Sequence, residues 1–219
     1  DMDFGGSDFH NTDGPIVCRR FAESEWLPAQ RAFYTAARGA GHADCPDFNH
    51  PEVQGVGQVP LNNPNGIRMS TALGYLNLAR HRLNLTIKPN CTVHRLIFEG
   101  NRAVAVQVES GGEIFTVEAD EIVLSAGVIG SAHILMLSGV GPADQLRDVG
   151  IPVVHELPGV GQNMKDHPII IVSFKPKAGH VFDTSAPRIQ LGLRWTAQGS
   201  SLRNDLQVLM SSIVMADHF

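Results

Sequence analysis

The residues best suited to chemistry lie in one stretch of small side chains, EIVLSAGVIGSAHILMLSGVGP, at residues 121–142. Its apolar start predicts a buried strand up to Ser125, its small residues predict a turn, and the residues after Gly127 predict a short helix. A strand, a tight turn and a helix can place the helix N-terminus against a phosphate group. The same pattern is typical of turns that only pack, so these residues alone leave a ligand site and a packed turn open.

More specific motifs for phosphate binding or catalysis are missing from the sequence. A dinucleotide fingerprint, G-x-G-x-x-G, needs a third glycine, which none of the G-V-G triplets at 55–57, 139–141 and 159–161 has. The serines of the small-residue stretch do not lie in a G-x-S-x-G nucleophile elbow. Asp166 and His167 are neighbours whose side chains would point to opposite faces of an extended chain, which favours a structural role over acid–base catalysis.

The sequence does not predict a metal site. His42, Cys45 and His50 lie close together, but their spacing matches no standard zinc pattern and the surrounding Gly, Pro and Asp predict a loop. The three cysteines are odd in number and form no C-x-x-C pair, which favours free thiols in a reducing compartment. We therefore expect a cytoplasmic protein.

Composition is that of an ordinary globular protein, with 219 residues, a net charge of −5, 43% hydrophobic and 18% charged residues. The negative balance does not favour nucleic acid or an anionic membrane surface as a partner. The longest apolar run, at residues 122–137, is interrupted by Ser, Gly and His and is too broken for a membrane-spanning helix of about 20 residues.

The elements that must position the small-residue stretch alternate between helix and sheet. Apolar spacing predicts a helix at residues 23–38, and the Gly- and Pro-rich residues 39–68 predict a long loop. A second helix is predicted from Met69, with Ser70 or Thr71 as its N-cap. Residues 83–90 predict a short strand, and residues 91–127 predict an antiparallel meander followed by IVLS, a strand covered on both faces.

The C-terminal part of the sequence changes character. Residues 143–150 predict a short helix, and the following residues predict a strand that runs into a glycine turn. Beyond Pro168, the runs IIIVSF, RIQLGLRWT and DLQVLMSSIVM predict antiparallel sheet without intervening helices. The predicted domains are residues 1–166 and 167–219, and the predicted fold class is α/β, or α+β overall.

Seven short motifs occur in an order that resembles one enzyme family. They are DGP at 13–15, DFN at 47–49, GVG at 55–57, GIRMSTALGYL at 66–76, RLNLTI at 82–87, the SAG and SGVGP turns of residues 125–142, and PGVGQNMKDHP at 158–168. This series resembles the glucose-methanol-choline (GMC) family of flavin oxidoreductases, and especially its choline-dehydrogenase-like branch. One departure is Ser131-Ala132, where the family usually has Ser-Pro.

The resemblance implies FAD as the cofactor and a partial FAD-binding Rossmann-like domain with a β-meander, followed by part of an antiparallel-sheet substrate domain. By the same resemblance Val93 contacts the adenine through its backbone, Ala126 and Gly127 lie close to the cofactor, and residues 39–68 lie near the flavin and the substrate entrance. The FAD phosphate fingerprint and the catalytic His-His or His-Asn pair of the family would lie outside this chain. The sequence therefore predicts an internal fragment without catalytic residues of its own.

The function implied by the resemblance is FAD-dependent oxidation of the CH–OH group of a small-molecule alcohol. Two alternatives remain open, a flavin-containing lyase on the same scaffold and a truncated binding protein without catalytic activity. The expected partners are the alcohol, the remainder of the full-length enzyme, and a second copy through exposed apolar surface. We expect no nucleic-acid partner, no membrane span, no activity in the isolated chain and little affinity of that chain for FAD.

Overall fold

The computed structural model describes residues 1, 3, 9–174, 177–179 and 186–212. The α-helices are α1 Pro28–Gly39, α2 Asn77–Ala79, α3 Gly127–Leu137 and α4 Ala143–Asp148. The strands are β1 Gly55–Gln58, β2 Thr92–Glu99, β3 Arg102–Ser110, β4 Glu113–Glu118, β5 Val140–Gly141, β6 His155–Glu156, β7 Ile189–Trp195 and β8 Leu206–Ser211. Helix and sheet are mixed along the chain, as the predicted fold class requires.

The chain divides into two compact units. One contains Asp1–Leu85 together with the residues from Val172 onward, and the other contains Thr86–Ile171. We call them the outer-segment unit and the central unit. The predicted partition at Asp166 concerned the domains of a longer enzyme and stays a prediction.

The outer-segment unit is built on an antiparallel sheet in the order β1, β7, β8. Helix α1 packs on this sheet through Ala37, which forms a buried cluster with Val56 of β1 and Leu193 of β7. The pairing of β7 and β8 confirms two of the three predicted antiparallel runs, RIQLGLRWT and DLQVLMSSIVM, of which residues 213–215 lie outside the described part of the chain. The predicted long loop at residues 39–68 is wrong in part, because it contains β1, a four-residue strand whose partner lies more than a hundred positions later.

Two buried glutamines tie α1 to the sheet. The side-chain amide of Gln30 donates to Ser212 Oγ at 2.7 Å, and its oxygen accepts the backbone N–H of Leu191 at 3.2 Å. Gln190 accepts the backbone N–H of Leu27 at 2.9 Å. Both glutamines are fully buried, so each bond replaces water that the bonded polar groups lost on folding.

The first predicted helix begins later than the apolar pattern suggested, whereas the second begins at its predicted N-cap, Thr71. The helix predicted at residues 23–38 is a 3₁₀ turn at Glu23–Glu25 followed by α1, because Leu27 precedes a proline and is extended, with ψ at 152°. The helix predicted from Met69 begins after Thr71 with a π-helical turn at Ala72–Leu76 and continues into α2. No helix among the described residues is long and apolar enough to cross a membrane.

Arg194 of β7 holds a loop of the outer-segment unit through its guanidinium group. Its Nε donates to the carbonyl oxygen of Val53 at 2.8 Å, and its Nη1 donates to that of Phe48 at 2.7 Å. Its Nη2 donates to the carbonyl oxygens of Asp47, at 3.4 Å, and of His50. A planar fork of donors fits such a set of acceptors, which a lysine cannot match.

Asp47 also anchors the loop through its side chain, which lies in a buried charged cluster. Its carboxylate accepts from His10 Nε2 at 2.8 Å, from Arg20 Nη2 at 3.5 Å and from the backbone N–H of Asn49 at 2.9 Å. Burial by itself would raise the pKa of Asp47, but the hydrogen bonds from His10 and Asn49 and the charges of His10 and Arg20 lower it overall. The cluster therefore favours the ionised form of Asp47.

The central unit begins with the predicted meander, in which β2, β3 and β4 pair antiparallel in that order. Helix α3 follows, and then the two-residue strand β5, which pairs in parallel with β6. The short helix α4 lies between β5 and β6 and confirms the helix predicted at residues 143–150. Leu146 on α4 is fully buried and belongs to the core of this unit.

Three predicted strands are not strands in the described part of the chain. They are residues 83–90, the IVLS run at 122–125 and the IIIVSF run at 169–174. Val123 in IVLS is 85% exposed and Ile170 in IIIVSF is 91% exposed, although both runs are apolar. A strand needs backbone partners on a neighbouring strand, and no described residue pairs with these three runs.

We predict that Arg194 contributes much more stability than an arginine in a surface ion pair. Replacing Arg194 with Ala should lower the free energy of unfolding by about 2–4 kcal/mol, because several carbonyl groups lose a charged donor. R194K should recover less than half of that loss, since it keeps the charge but not the fork. Denaturant titration of the purified chain measures both effects.

The matched control is Arg203, whose Nη1 lies 3.0 Å from Glu52 Oε1 in an exposed pair. R203A should cost less than about 1 kcal/mol. Equal losses in R194A and R203A would show that Arg194 does not hold the loop.

We also predict that Asp47 makes stability depend on pH in the acid range. Because its pKa is lower in the folded chain than in the unfolded chain, Asp47 contributes stability above about pH 4 that is lost as the pH falls through its folded pKa. Urea midpoints measured between about pH 6 and pH 3 should therefore fall more steeply for the wild type than for D47N. Parallel curves for the two proteins would contradict the prediction.

Candidate functional site

A cavity of about 370 Å³ lies within the central unit. One wall is the inner face of the meander, and the other is formed by the IVLS run, the turn after it and α3. The lining residues are Val93, Val106, Val117, Ala119, Glu121, Ile122, Val123, Leu124, Ser125, Ala126 and Ile134. Val93 and Ala126, which the resemblance assigned to one cofactor, therefore line the same cavity, while Gly127 lies directly after it.

A β-bulge positions Val93 on the meander wall. Val93 pairs with Val108, but Arg95 pairs with Gln107, so His94 is an extra residue on β2. Side chains of a strand alternate between its faces, and one extra residue resets that alternation. As a result Val93, which is 37% exposed, lies in the cavity lining, while Leu96, three residues later, is buried.

The turn that begins α3 forms the other end of the candidate site. The backbone N–H of Ala126 donates to Ser131 Oγ at 3.1 Å, so this donor already has a protein partner. Gly127 has φ at +83°, a conformation that L side chains rarely adopt, and a Cβ added there would meet nothing within 4 Å. The glycine is needed for the turn, and it leaves open space beside the cavity.

The second glycine turn, at Gly139, has a different structural role. Gly139 also has φ at +83°, but a Cβ added there would overlap the carbonyl oxygen of Pro152 and lie 3.1 Å from Val154 N. The carbonyl oxygen of Gly139 accepts the backbone N–H of Val154 at 2.8 Å. This glycine allows two backbone segments to cross closely and does not face the cavity.

The exposed surface of α3 is unusually apolar. Val128 and Ile129 are 70% and 68% exposed, and the helix has no buried residue in this chain. A helix that is apolar on every face is normally covered by other protein elements. The helix therefore has the composition of an internal element.

Outside the cavity, the residues considered for metal binding or acid–base chemistry have structural contacts. The described residues contain no group of three or more His, Cys, Asp or Glu side chains that could hold a metal ion. Burial raises the pKa of the Cys45 thiol, which disfavours the thiolate that a metal would need. Asp166 Oδ1 accepts the backbone N–H of His167 at 2.7 Å.

A model of the protein family described as GMC oxidoreductase matches residues 14–169. The chain belongs to the GMC oxidoreductase family. The match includes the cavity, the meander and both glycine turns. FAD is the cofactor of this family.

Similar proteins agree with this assignment. A GMC-type oxidoreductase of Rhodococcus erythropolis is 40% identical over 193 residues, which cover 88% of this chain and 39% of that protein. The oxygen-dependent choline dehydrogenase of Chromohalobacter salexigens is 40% identical over 177 residues, 80% of this chain and 32% of the dehydrogenase. A solved structure of an FAD-dependent oxidoreductase from Chaetomium thermophilum matches with a TM-score of 0.65 and 31% identity, covering 70% of this chain and 27% of that structure. The chain thus spans about a third of the length of its relatives.

Sequence reasoning placed Val93, Ala126 and Gly127 but missed the residues that hold them in position. These are Ser131, which bonds Ala126, and Ser138, which bonds the meander. Both serines belong to the small-residue stretch, Ser131 within α3 and Ser138 directly after it, so the available signal was two serines in a mostly apolar segment. Nothing in the sequence shows which backbone groups they contact.

We predict that Gly139 and Gly127 differ sharply in their tolerance of a side chain, although both have φ at +83°. G127A should cost about 1–2 kcal/mol in the free energy of unfolding, the conformational penalty alone. G139A should cost about 1–3 kcal/mol more, because its Cβ overlaps backbone atoms. Chemical denaturation of the two variants tests this, and losses of equal size would contradict the close crossing.

Proposed function

We propose that this chain is part of an FAD-dependent oxidoreductase that oxidises the CH–OH group of a small alcohol, with choline as the first substrate to test. The observation that carries the proposal is the cavity that Val93 and Ala126 share, in a chain that belongs to the GMC oxidoreductase family. The choice of choline is supported by a choline dehydrogenase that is 40% identical over most of this chain.

The cavity fits one portion of FAD and not the whole cofactor. Its volume of about 370 Å³ is at the lower end of the range for small-molecule pockets, roughly 300–1,000 Å³. Its lining is largely aliphatic, with Glu121 and Ser125 as polar side chains, and such a surface suits the flat adenine ring. We assign the adenine contact to the backbone of Val93 and place Ala126 and Gly127 beside the cofactor.

In this proposal the chain binds the adenine end of FAD and shields it from water, and the remainder of the enzyme supplies the catalytic residues. FAD, when bound, supplies the hydride acceptor for alcohol oxidation. The aliphatic lining excludes water from the adenine end, and the turn at Gly127 permits close approach of the cofactor. No residue of this chain is proposed as a catalytic base, and the boundary between a cofactor domain and a substrate domain near Asp166 remains part of the proposal.

The location of the enzyme is also a proposal. Cys18, Cys45 and Cys91 are all free thiols. Free thiols fit a reducing compartment, which supports the cytoplasm as the site of action.

The full-length protein encoded by this sequence and its flanking coding regions tests the function. We expect it to purify with bound flavin, and we expect choline added without oxygen to bleach the visible absorbance of that flavin. Ethyltrimethylammonium, which has the same cation but no hydroxyl group, is the matched control and should leave the spectrum unchanged. The isolated chain should be inactive and bind little FAD.

Each result bears on a separate part of the proposal. A full-length protein without flavin would contradict the cofactor assignment. Bound flavin that no alcohol reduces would contradict oxidation of a CH–OH group and would favour the lyase alternative. Reduction by other alcohols but not by choline would correct only the substrate.

A further inference from the structure

We propose that Ser138 is a positioning residue that fixes the two walls of the central cavity relative to each other. The proposal rests on the proposed function, because the ligand it concerns is the adenine end of FAD. Ser138 itself does not line the cavity. It acts through two hydrogen bonds, one to each wall.

The hydroxyl group of Ser138 is shared between β2 and α3. Ser138 Oγ accepts the backbone N–H of Leu96 on β2 at 2.7 Å. The same hydroxyl donates to the carbonyl oxygen of Ile134 on α3 at 2.5 Å. A hydroxyl group offers one donor and acceptor lone pairs, so it makes both bonds at once. With Ser138 only 7% exposed, water cannot easily replace either bond.

The bond between Leu96 and Ser138 gives a hydrogen-bond partner to a backbone N–H group at the edge of the meander. Strand β2 is the outer strand of the order β2, β3, β4, so the N–H groups on its open side need partners from outside the sheet. Leu96 is buried, and an unpaired N–H there would be costly. Ser138 is the partner that this N–H finds, and it brings the end of α3 to a fixed point on β2.

The bond between Ser138 and Leu96 lies close to cavity-lining residues on both α3 and β2. Ile134, which accepts the Ser138 hydroxyl through its carbonyl, also lines the cavity. Val93 lies three residues before Leu96, across the bulge at His94. On the outer face His94 Nε2 lies 2.9 Å from Glu109 Oε2 and holds the bulge to β3. The Ser138 hydroxyl group and the bulge at His94 therefore both contribute to the position of Val93 relative to Ile134.

Helix α3 connects Ser138 to Ala126, which lines the cavity at the other end of the helix. Its 11 residues span about 16 Å, with Ser138 at its C-terminal end and Ala126 at its N-terminal end. The N–H of Ala126 is held to the same helix by Ser131. If the Leu96 bond is lost, α3 is free to move along β2, and Ala126 and Ile134 move with it relative to Val93.

A stability-matched control separates positioning from general stabilisation. Leu146 on α4 is fully buried in the same unit but does not line the cavity. L146A should destabilise the central unit by creating a void, without changing the bond between the cavity walls. S138T retains the hydroxyl group and serves as the conservative variant.

The first measurement is amide hydrogen exchange of Leu96 in the 219-residue chain. S138A should speed the exchange of this amide by at least about tenfold relative to its neighbours on β3, and S138T should restore slow exchange. Unchanged exchange in S138A would overturn the proposal, whatever the protein binds. If S138A does not fold, S138C keeps the side-chain volume and should show a smaller change in the same direction.

The second measurement is the Kd for FAD of the full-length apoprotein, obtained by flavin fluorescence, together with the unfolding temperature. S138A should raise the Kd about tenfold, which corresponds to about 1.4 kcal/mol, while L146A should lower the unfolding temperature at least as much with a Kd within about twofold of wild type. Equal effects of S138A and L146A on the Kd would overturn the positioning role. A wild-type protein that binds no FAD would instead overturn the proposed function, and Leu96 exchange would still decide whether Ser138 joins the walls.

Discussion

Each of the two units is stabilised internally by hydrogen bonds between side chains and buried backbone groups. A buried N–H or C=O group without a partner is costly, and a short sheet leaves many of them at its edges. In the outer-segment unit Gln30, Gln190 and Arg194 supply the missing partners, and in the central unit Ser138 does so. Each of these side chains joins segments that the sheets alone would leave apart.

Backbone surroundings also distinguish the parts of the small-residue stretch that borders the candidate site. The turn at Ala126 and Gly127 leaves space beside the cavity, whereas Gly139 allows a crossing of backbone segments. The stretch therefore combines residues beside the cavity with a close backbone crossing that does not line it. Motifs that identify a family can contain both kinds of residue, and the distinction between them comes from what surrounds each backbone position.

Large apolar side chains of this chain are exposed, and the chain spans only part of the length of its relatives. The faces of α3, Val123 in the IVLS run and Ile170 are exposed, and the chain spans 39% or less of the relatives described above. Runs that are apolar on both sides normally lie between other layers. The composition of these segments thus suits the interior of a larger protein.

The sequence by itself determined the local elements and the family. The apolar spacing of α1, the alternation in the meander and the ordered motifs from residue 13 to residue 168 needed no knowledge of distant contacts, because each is a property of neighbouring residues. They were enough to bring Val93, Ala126 and Gly127 forward as one candidate site.

The tertiary structure decided which of these elements find partners. Strand β1 exists because β7 pairs with it, and IVLS is not a strand because no described residue does. The bulge at His94 and the bond between Ser138 and Leu96 depend on residues from 12 to 42 positions apart. Hydrogen bonds between distant segments leave no periodic trace in either segment, so only the folded chain shows them.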